Sequence, residues 1–118
     1  RTARFGNALV RSGNLSLKQK RFEDDFSPID SDCPCLTCKK YTRAYIHTLI
    51  ARDETGCHLI TIHNIAYQLN LMRRARESII ENRFPEFVQK FMLDMFGEDK
   101  RAYPKWMIDA FESVNIKF

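Results

Sequence analysis

The chain has 118 residues, enough for one modest domain or for part of a larger one. Apolar residues make up 44% and charged residues 29%, a balance typical of a soluble globular protein, and no stretch is apolar enough to span a bilayer. The chain opens on basic and small residues without an initiator Met or an apolar leader, from which we expect a segment of a longer protein. Composition therefore argues against a membrane-spanning class.

Basic residues are concentrated at the start of the chain. The formal net charge is +4, yet residues 1–21 hold six Arg or Lys and no acidic residue. Two short strand-like runs, Ala3–Val10 and Asn14–Lys18, are joined through Gly13, which can adopt the positive φ of a tight turn. The pattern predicts a basic β-hairpin. Such a hairpin is a candidate surface for RNA, and a solvated face without a partner is an equally weighted alternative.

A C-x-C-x-x-C run, formed by Cys33, Cys35 and Cys38, is the strongest chemical signal in the chain. Cysteines separated by a single residue are poorly placed to pair with each other, whereas a turn through Pro34 can direct three sulfurs at one ion. A disulfide framework would also need Cys57 and an oxidising compartment, so we give it much less weight. The run predicts a metal site in a reducing compartment.

The sequence offers His47, His58 and His63 as the fourth ligand. Spacing alone does not separate His58 from His63, although the Thr61–Asn64 context places His63 at a helix start and favours it. Three thiolates and one imidazole complete a tetrahedron and leave no open position. We therefore expect one structural zinc ion and no catalytic metal.

Helices are predicted for the remainder of the chain. The first, Tyr41–Arg52, presents Tyr41, Tyr45 and Thr48 on one side, where they could pack internally or against a partner subunit. A long amphipathic helix from about Leu59 to Asn82 has its apolar residues on a common face. Pro85 and Gly97 bound a further helix, and a short one starts near Pro104. The apolar face of the long helix consists of Ile62, Ile65, Ala66, Leu69, Met72, Ile79 and Ile80, and the short helix is expected to bury Trp106, Met107, Ala110 and Phe111.

Several stretches together resemble one family. The run from Cys33 to His47, followed by His63-Asn64-Ile65-Ala66, is similar to the C-terminal zinc-binding region of the tRNA-guanine transglycosylases, or queuine tRNA-ribosyltransferases. The resemblance is strongest to their eukaryotic catalytic subunits and covers nearly the whole chain. It extends to Arg1–Gly6, Gly13–Leu15, Asp25–Pro28 and Phe84–Gly97.

The resemblance implies an α/β fold, the C-terminal part of a (β/α)8 TIM barrel with a zinc-binding subdomain. Residues 1–61 would form that subdomain, residues 62–82 the last barrel helix and residues 83–118 the C-terminal helices, giving a β-hairpin plus about four helices. Barrel active sites use loops from several strands. The nucleophilic aspartate and the base pocket would therefore lie upstream of Arg1, and this chain alone is expected to be inactive.

The resemblance also assigns roles to residues. Cys33, Cys35, Cys38 and His63 match the zinc ligands of the family, Arg1 and Arg4 match arginines that contact the anticodon loop of tRNA, and Tyr41, Tyr45 and Thr48 match a stretch of the subunit interface.

The implied reaction of the whole enzyme replaces guanine by queuine at the wobble position of a tRNA with a GUN anticodon. The expected partners are this tRNA and a homologous accessory subunit or a second copy, without DNA. The expected location is the cytoplasm, with association with the mitochondrial outer membrane as an extension. Two alternatives are kept: the noncatalytic partner subunit of the same heterodimer, and a zinc-organised module for RNA binding or dimerisation.

Overall fold

The computed structural model describes residues 2–118, apart from the side chain of Lys100. Its two strands form the predicted hairpin: β1, Asn7–Val10, pairs antiparallel with β2, Gly13–Ser16. Gly13 has a φ of +118°, as the turn prediction required. The predicted first strand began at Ala3, which is wrong, because the chain there forms a 3-10 helix over Thr2–Phe5 that buries Ala3.

Five α-helices follow in the described residues, where about four were predicted. The additional helix is a single turn inside the cysteine run. The helix predicted between Pro85 and Gly97 is confirmed, with Pro85 in its first turn. The helices are α1 (Leu36–Lys40), α2 (Arg43–Arg52), α3 (Thr55–Ile80), α4 (Phe84–Phe96) and α5 (Lys105–Glu112), with short 3-10 helices at Lys20–Phe22 and Lys100–Ala102.

The junction between α2 and α3 is tighter than predicted. The Asp53 carboxylate accepts a hydrogen bond from the Thr55 backbone N–H at 2.7 Å, which starts α3 at Thr55 and not at Leu59. Gly56 lies in the first turn, where a Cβ atom would come within 2.8 Å of the Ile50 backbone nitrogen. His63 therefore lies in the third turn of α3 and not at its start, and the predicted domain boundary at residue 61 falls inside the helix.

Arg43 organises the loop that leads to the cysteines. Its guanidinium donates hydrogen bonds to the Pro28 carbonyl at 3.0 Å and to the Ile29 carbonyl at 2.8 Å. It also forms an ion pair with Asp25 at 3.2 Å. The Ser27 hydroxyl and backbone N–H, and then Arg43, lower the pKa of Asp25. The loop is thus held against the start of α2 by side-chain bonds as well as by packing.

The chain divides into two compact units, of which the first ends at Met72 and the second runs from Arg73 to Phe118. The core of the first unit joins the hairpin and the cysteine run to α2 and to the start of α3, around Leu17, Ile46 and Ile60. The second unit has its own core, in which Val88 and Met92 of α4 are buried together with aromatic side chains. Among the described residues, no helix combines the length and apolar character needed to cross a bilayer.

Most of the predicted apolar face of α3 is exposed within this chain, although Ala66 packs on the core of the first unit. In the first unit Ile62, Ile65, Leu69 and Met72 are all exposed, with Leu69 at 69%. The side of α3 that is buried there carries His63 and Asn64, because the cysteine run and β1 lie against it. In α5 the prediction fails for Trp106 and Ala110, which are exposed. Met107 and Phe111 pack on the core as predicted, and so does Ile108.

Replacing Gly56 by Ala tests the close approach of α2 and α3. Helix propensity alone predicts a gain of about 1 kcal/mol for Gly to Ala inside a helix. A Cβ at 2.8 Å from backbone predicts the opposite, because the Ile50 backbone nitrogen must move. We expect a net loss of about 1–2 kcal/mol in the free energy of unfolding, measured by denaturant titration. Gln68→Ala, at an exposed position of the same helix, is the control and should be nearly neutral. A more stable Gly56→Ala protein would contradict the packing of this junction.

Candidate zinc centre

Two tight turns bring the three sulfurs together. The Asp30 side chain accepts from the Asp32 N–H at 2.9 Å, and the Asp30 carbonyl accepts from the Cys33 N–H at 3.2 Å. Cys35 then caps the single-turn helix α1, and its sulfur accepts from the Cys38 N–H at 3.4 Å. A side chain that caps a helix points along the first turn. Consequently the Cys35 and Cys38 sulfurs converge on one side of the knuckle.

His63 of α3 completes the group. Its Nδ1 lies 3.2 Å from the Cys38 sulfur and 3.6 Å from the Cys35 sulfur, and all four potential ligand atoms, including the Cys33 sulfur, lie within 4.8 Å of one another. A tetrahedral zinc ion with ordinary bond lengths separates sulfur and nitrogen ligands by about 3.6 Å. Cys35, Cys38 and His63 are buried. The predicted ligands thus form a plausible zinc site with four protein ligands, a composition typical of a structural site.

The second nitrogen of His63 determines how the ring is oriented. Nε2 donates a hydrogen bond to the Leu9 carbonyl of β1 at 2.7 Å. A backbone carbonyl can only accept, so Nε2 carries the proton and Nδ1 has its lone pair free for a metal. This is the outer-shell arrangement that usually fixes metal-binding histidines. The site therefore depends on β1 as well as on the cysteine run.

Burial shifts the pKa values of the cysteine thiols and of the His63 imidazole in opposite directions. It raises the pKa of the Cys33 and Cys38 thiols, and neighbouring sulfur at Cys35 raises both further. Burial lowers the pKa of His63, which favours the neutral imidazole that binds metal. Without an ion the two thiols are thus neutral at pH 7. Zinc must displace their protons, so its affinity rises with pH.

The alternative ligands and pairings are excluded by position. The Nδ1 atom of His47 donates to the Leu17 carbonyl at 2.7 Å, and His58 is exposed on the surface of α3. Cys57 lies apart from the cluster, with its sulfur 3.7 Å from the Arg4 carbonyl oxygen. All four cysteines are free, so the disulfide interpretation is wrong. Cys57 is half-buried.

The remaining predicted site residues lie elsewhere in the first unit. Arg1 lies outside the described residues, while Arg4 is exposed in the 3-10 helix that precedes β1. The rings of Tyr41 and Tyr45 stack with centroids 5.6 Å apart and planes 14° apart, and Tyr45 is 49% exposed. Thr48 is exposed one turn further along α2.

Asn64 was not predicted as a site residue, although it is buried beside His63. Its side chain accepts from the Leu9 N–H at 2.9 Å and donates to the Asn7 carbonyl at 3.1 Å. Its signals in the sequence were its place in the polar dipeptide His63-Asn64 and in the run His63-Asn64-Ile65-Ala66 that resembles the family. Spacing indicated a metal ligand at His63 but indicated no partner for Asn64.

Replacing Cys35 by Ala should abolish stoichiometric zinc binding, because a buried ligand and the cap of α1 are lost together. Metal affinity supplies folding free energy on the order of 10 kcal/mol in small zinc domains, so helicity of the first unit should also fall. Zinc per chain would be measured by elemental analysis and helicity by circular dichroism. Cys57→Ala is the matched control and should retain one zinc per chain. Full metal content in the Cys35→Ala protein would rule out the four-ligand site.

Known proteins of one family are similar to this chain over most of its length. The sequence model described as "Queuine tRNA-ribosyltransferase" matches residues 1–96. The chain is 45% identical to the "Queuine tRNA-ribosyltransferase catalytic subunit" of Caenorhabditis elegans, over 99% of this chain and 32% of the relative. It is 45% identical to the protein of that name from Schizosaccharomyces pombe, over 98% of this chain and 30% of the relative. It is 42% identical to the "Queuine tRNA-ribosyltransferase" of Streptococcus sanguinis, over 86% and 27% respectively. The chain thus spans about a third of these relatives, and with a family match over residues 1–96 it belongs to the queuine tRNA-ribosyltransferase family.

Proposed function

We propose that this chain is the C-terminal, zinc-organised part of an enzyme that exchanges guanine for queuine at the wobble position of tRNA. The observation that carries the proposal is the Cys₃His cluster in a chain that matches the family over residues 1–96. In this proposal Cys33, Cys35, Cys38 and His63 hold one zinc ion. The closed ligand set gives that ion a structural role and leaves the chemistry to residues outside this chain.

The apolar face of α3 supports a barrel context. Four apolar side chains, Ile62, Ile65, Leu69 and Met72, recur at helical spacing and are exposed within this chain. A contiguous apolar stripe of this kind marks a surface that another part of a protein covers. We propose that α3 is the last helix of a (β/α)8 barrel and that this face packs on barrel strands outside the present chain. The chain spans 32% of the C. elegans relative, which leaves ample length for those strands.

The segment before β1 is the proposed contact with tRNA. Arg4 is exposed, and the first 21 residues carry six basic and no acidic side chains. Guanidinium groups form bidentate hydrogen bonds with phosphates and with base edges of unstacked loops. We propose that Arg4, together with Arg1, which lies outside the described residues, contacts the anticodon loop. The pocket that selects queuine would lie in the missing barrel.

The decisive experiment uses the complete protein that contains this chain and a tRNA carrying labelled guanine at its wobble position. With free queuine present we expect release of the label, because the reaction exchanges one base for the other. A tRNA with a different wobble base is the control and should give no exchange. Absence of label release from the cognate tRNA, with zinc bound and any accessory subunit supplied, would remove the enzyme proposal.

A noncatalytic partner subunit remains the second candidate. The relatives from C. elegans and S. pombe are named as catalytic subunits, and each matches nearly the whole chain, which favours the catalytic one. An aspartate nucleophile upstream of Arg1 is the distinguishing feature, and its replacement by Asn would abolish exchange only in a catalytic subunit.

The exposed side of α2 is the proposed subunit interface. Tyr41, which directly precedes α2, and Tyr45 form a stacked pair near exposed Thr48. Stacked tyrosines offer a large contact area at low entropic cost, as interface anchors commonly do. We propose that this surface joins the chain to an accessory subunit or to a second copy.

Replacing Tyr45 by Ala should therefore weaken subunit association, raising the dissociation constant about tenfold. Sedimentation of the complete protein, alone and with its accessory subunit, measures this change. Lys40→Ala, an exposed position near the same end of α2, is the control and should leave association almost unchanged. Equal association of all three proteins would place the interface elsewhere.

A further inference from the structure

We infer that Asn64 is a positioning residue that holds the Arg4-bearing segment in its RNA-binding conformation, an inference that rests on the proposed contact between Arg4 and tRNA. One side chain bonds the chain on both sides of Arg4. Its Nδ2 lies 3.5 Å from the Thr2 hydroxyl and 3.1 Å from the Asn7 carbonyl, to which it donates. Asn64 is 8% exposed, so water competes little for these bonds.

The amide acts as a substitute for a neighbouring strand. Along β1 the side away from β2 is left without a strand partner, since the sheet has only two strands among the described residues. Asn64 accepts from the Leu9 N–H and donates to the Asn7 carbonyl, while His63 donates to the Leu9 carbonyl. Three backbone groups that would otherwise be unsatisfied are paired by two consecutive helix side chains.

The segment between Thr2 and Asn7, the two residues that the Asn64 amide nitrogen contacts, is compact. The Gly6 N–H donates to the Ala3 carbonyl at 3.0 Å, and Ala3 is buried, which forms the 3-10 turn that carries Arg4 at its surface. Cys57, which also lies on α3, has its sulfur 3.7 Å from the Arg4 carbonyl oxygen. The Leu17 N–H also donates to the Gly6 carbonyl at 2.9 Å, so Asn64 is one of several groups that fix this turn. It is the group whose side chain contacts residues on both sides of Arg4.

An arginine that reads a flexible loop gains affinity when its backbone is held in place before binding, because less freedom is lost on association. Asn64 supplies this order without touching the RNA itself. Its contribution should therefore appear in tRNA affinity and in the Michaelis constant for tRNA. It should be absent from zinc content and from the turnover rate at saturating tRNA.

Asn64→Asp is the sharpest variant. It keeps size and shape and the oxygen that accepts from Leu9, but replaces the donor facing the Asn7 carbonyl by a second acceptor. In the complete, zinc-loaded protein we expect KM for tRNA to rise about tenfold, with kcat within about twofold of the unsubstituted protein. Gln68→Glu, one turn along α3 at an exposed position, introduces the same charge change and should alter KM by less than about twofold.

A double-mutant cycle separates positioning from a general structural effect. Arg4→Ala alone should weaken tRNA binding about tenfold. In the Asn64→Asp background the same substitution should weaken it less than about threefold, because an Arg4 that is already displaced contributes little to tRNA affinity. Zinc per chain is measured for every variant. If Asn64→Asp loses zinc, Thr2→Val decides instead: it removes one of the three bonds and should raise KM about two- to threefold at full zinc content.

The outcomes distinguish the two proposals. If Arg4→Ala weakens tRNA binding but Asn64→Asp, or Thr2→Val in its place, leaves KM unchanged, the positioning role is wrong and the proposed tRNA contact stands. If the effects of Arg4→Ala and Asn64→Asp are fully additive, Asn64 does not act through Arg4. If Arg4→Ala has no effect on tRNA binding, both the contact and the positioning role are overturned.

Discussion

The first unit depends on the interactions that the imidazole of His63 makes through both of its nitrogens. Its Nδ1 faces the Cys35 and Cys38 sulfurs and its Nε2 donates to the Leu9 carbonyl, so one ring connects the cysteine run, the hairpin and α3. A ring bonded at both nitrogens has only one tautomer and one orientation available. Metal binding and the position of β1 are for this reason coupled through a single residue, and disturbance of either is transmitted to the other.

The same arrangement explains why α3 buries the polar pair His63 and Asn64 while several of its apolar residues stay exposed. His63 and Asn64 are buried because the sulfurs and the edge of β1 satisfy their hydrogen-bonding groups, and burial of such groups is tolerated only when they are paired. On the opposite side Ile65 and Leu69 stay exposed within this chain. A small unit with a limited core thus gains cohesion from a metal ion.

Sequence reasoning predicted the three cysteines of the zinc site and the limits of α4 well, because both depend on local signals: cysteine spacing, a first-turn Pro85 and a terminal Gly97. Spacing left the fourth ligand open between His58 and His63, and the helix context and the family resemblance selected His63. Sequence reasoning misplaced the start of α3, because the close approach of Gly56 to Ile50 is a tertiary contact that no local pattern reports. It also failed to find Asn64, whose partners lie more than 50 positions away in sequence. Exposure of Trp106 was missed for the same cause, since periodicity identifies a face and not what covers it.

The Arg43 contacts with Asp25, Pro28 and Ile29 bear on how fast the metal could be exchanged. These bonds involve none of the four ligands, so they do not require the ion directly. They tie the loop to the start of α2 and shorten the stretch of backbone, beginning near Asp30, that has to be ordered around an incoming ion. Closure of so short a stretch takes less than microseconds once α2 is folded, so zinc uptake by the folded unit would be limited by delivery of the ion and by loss of the thiol protons.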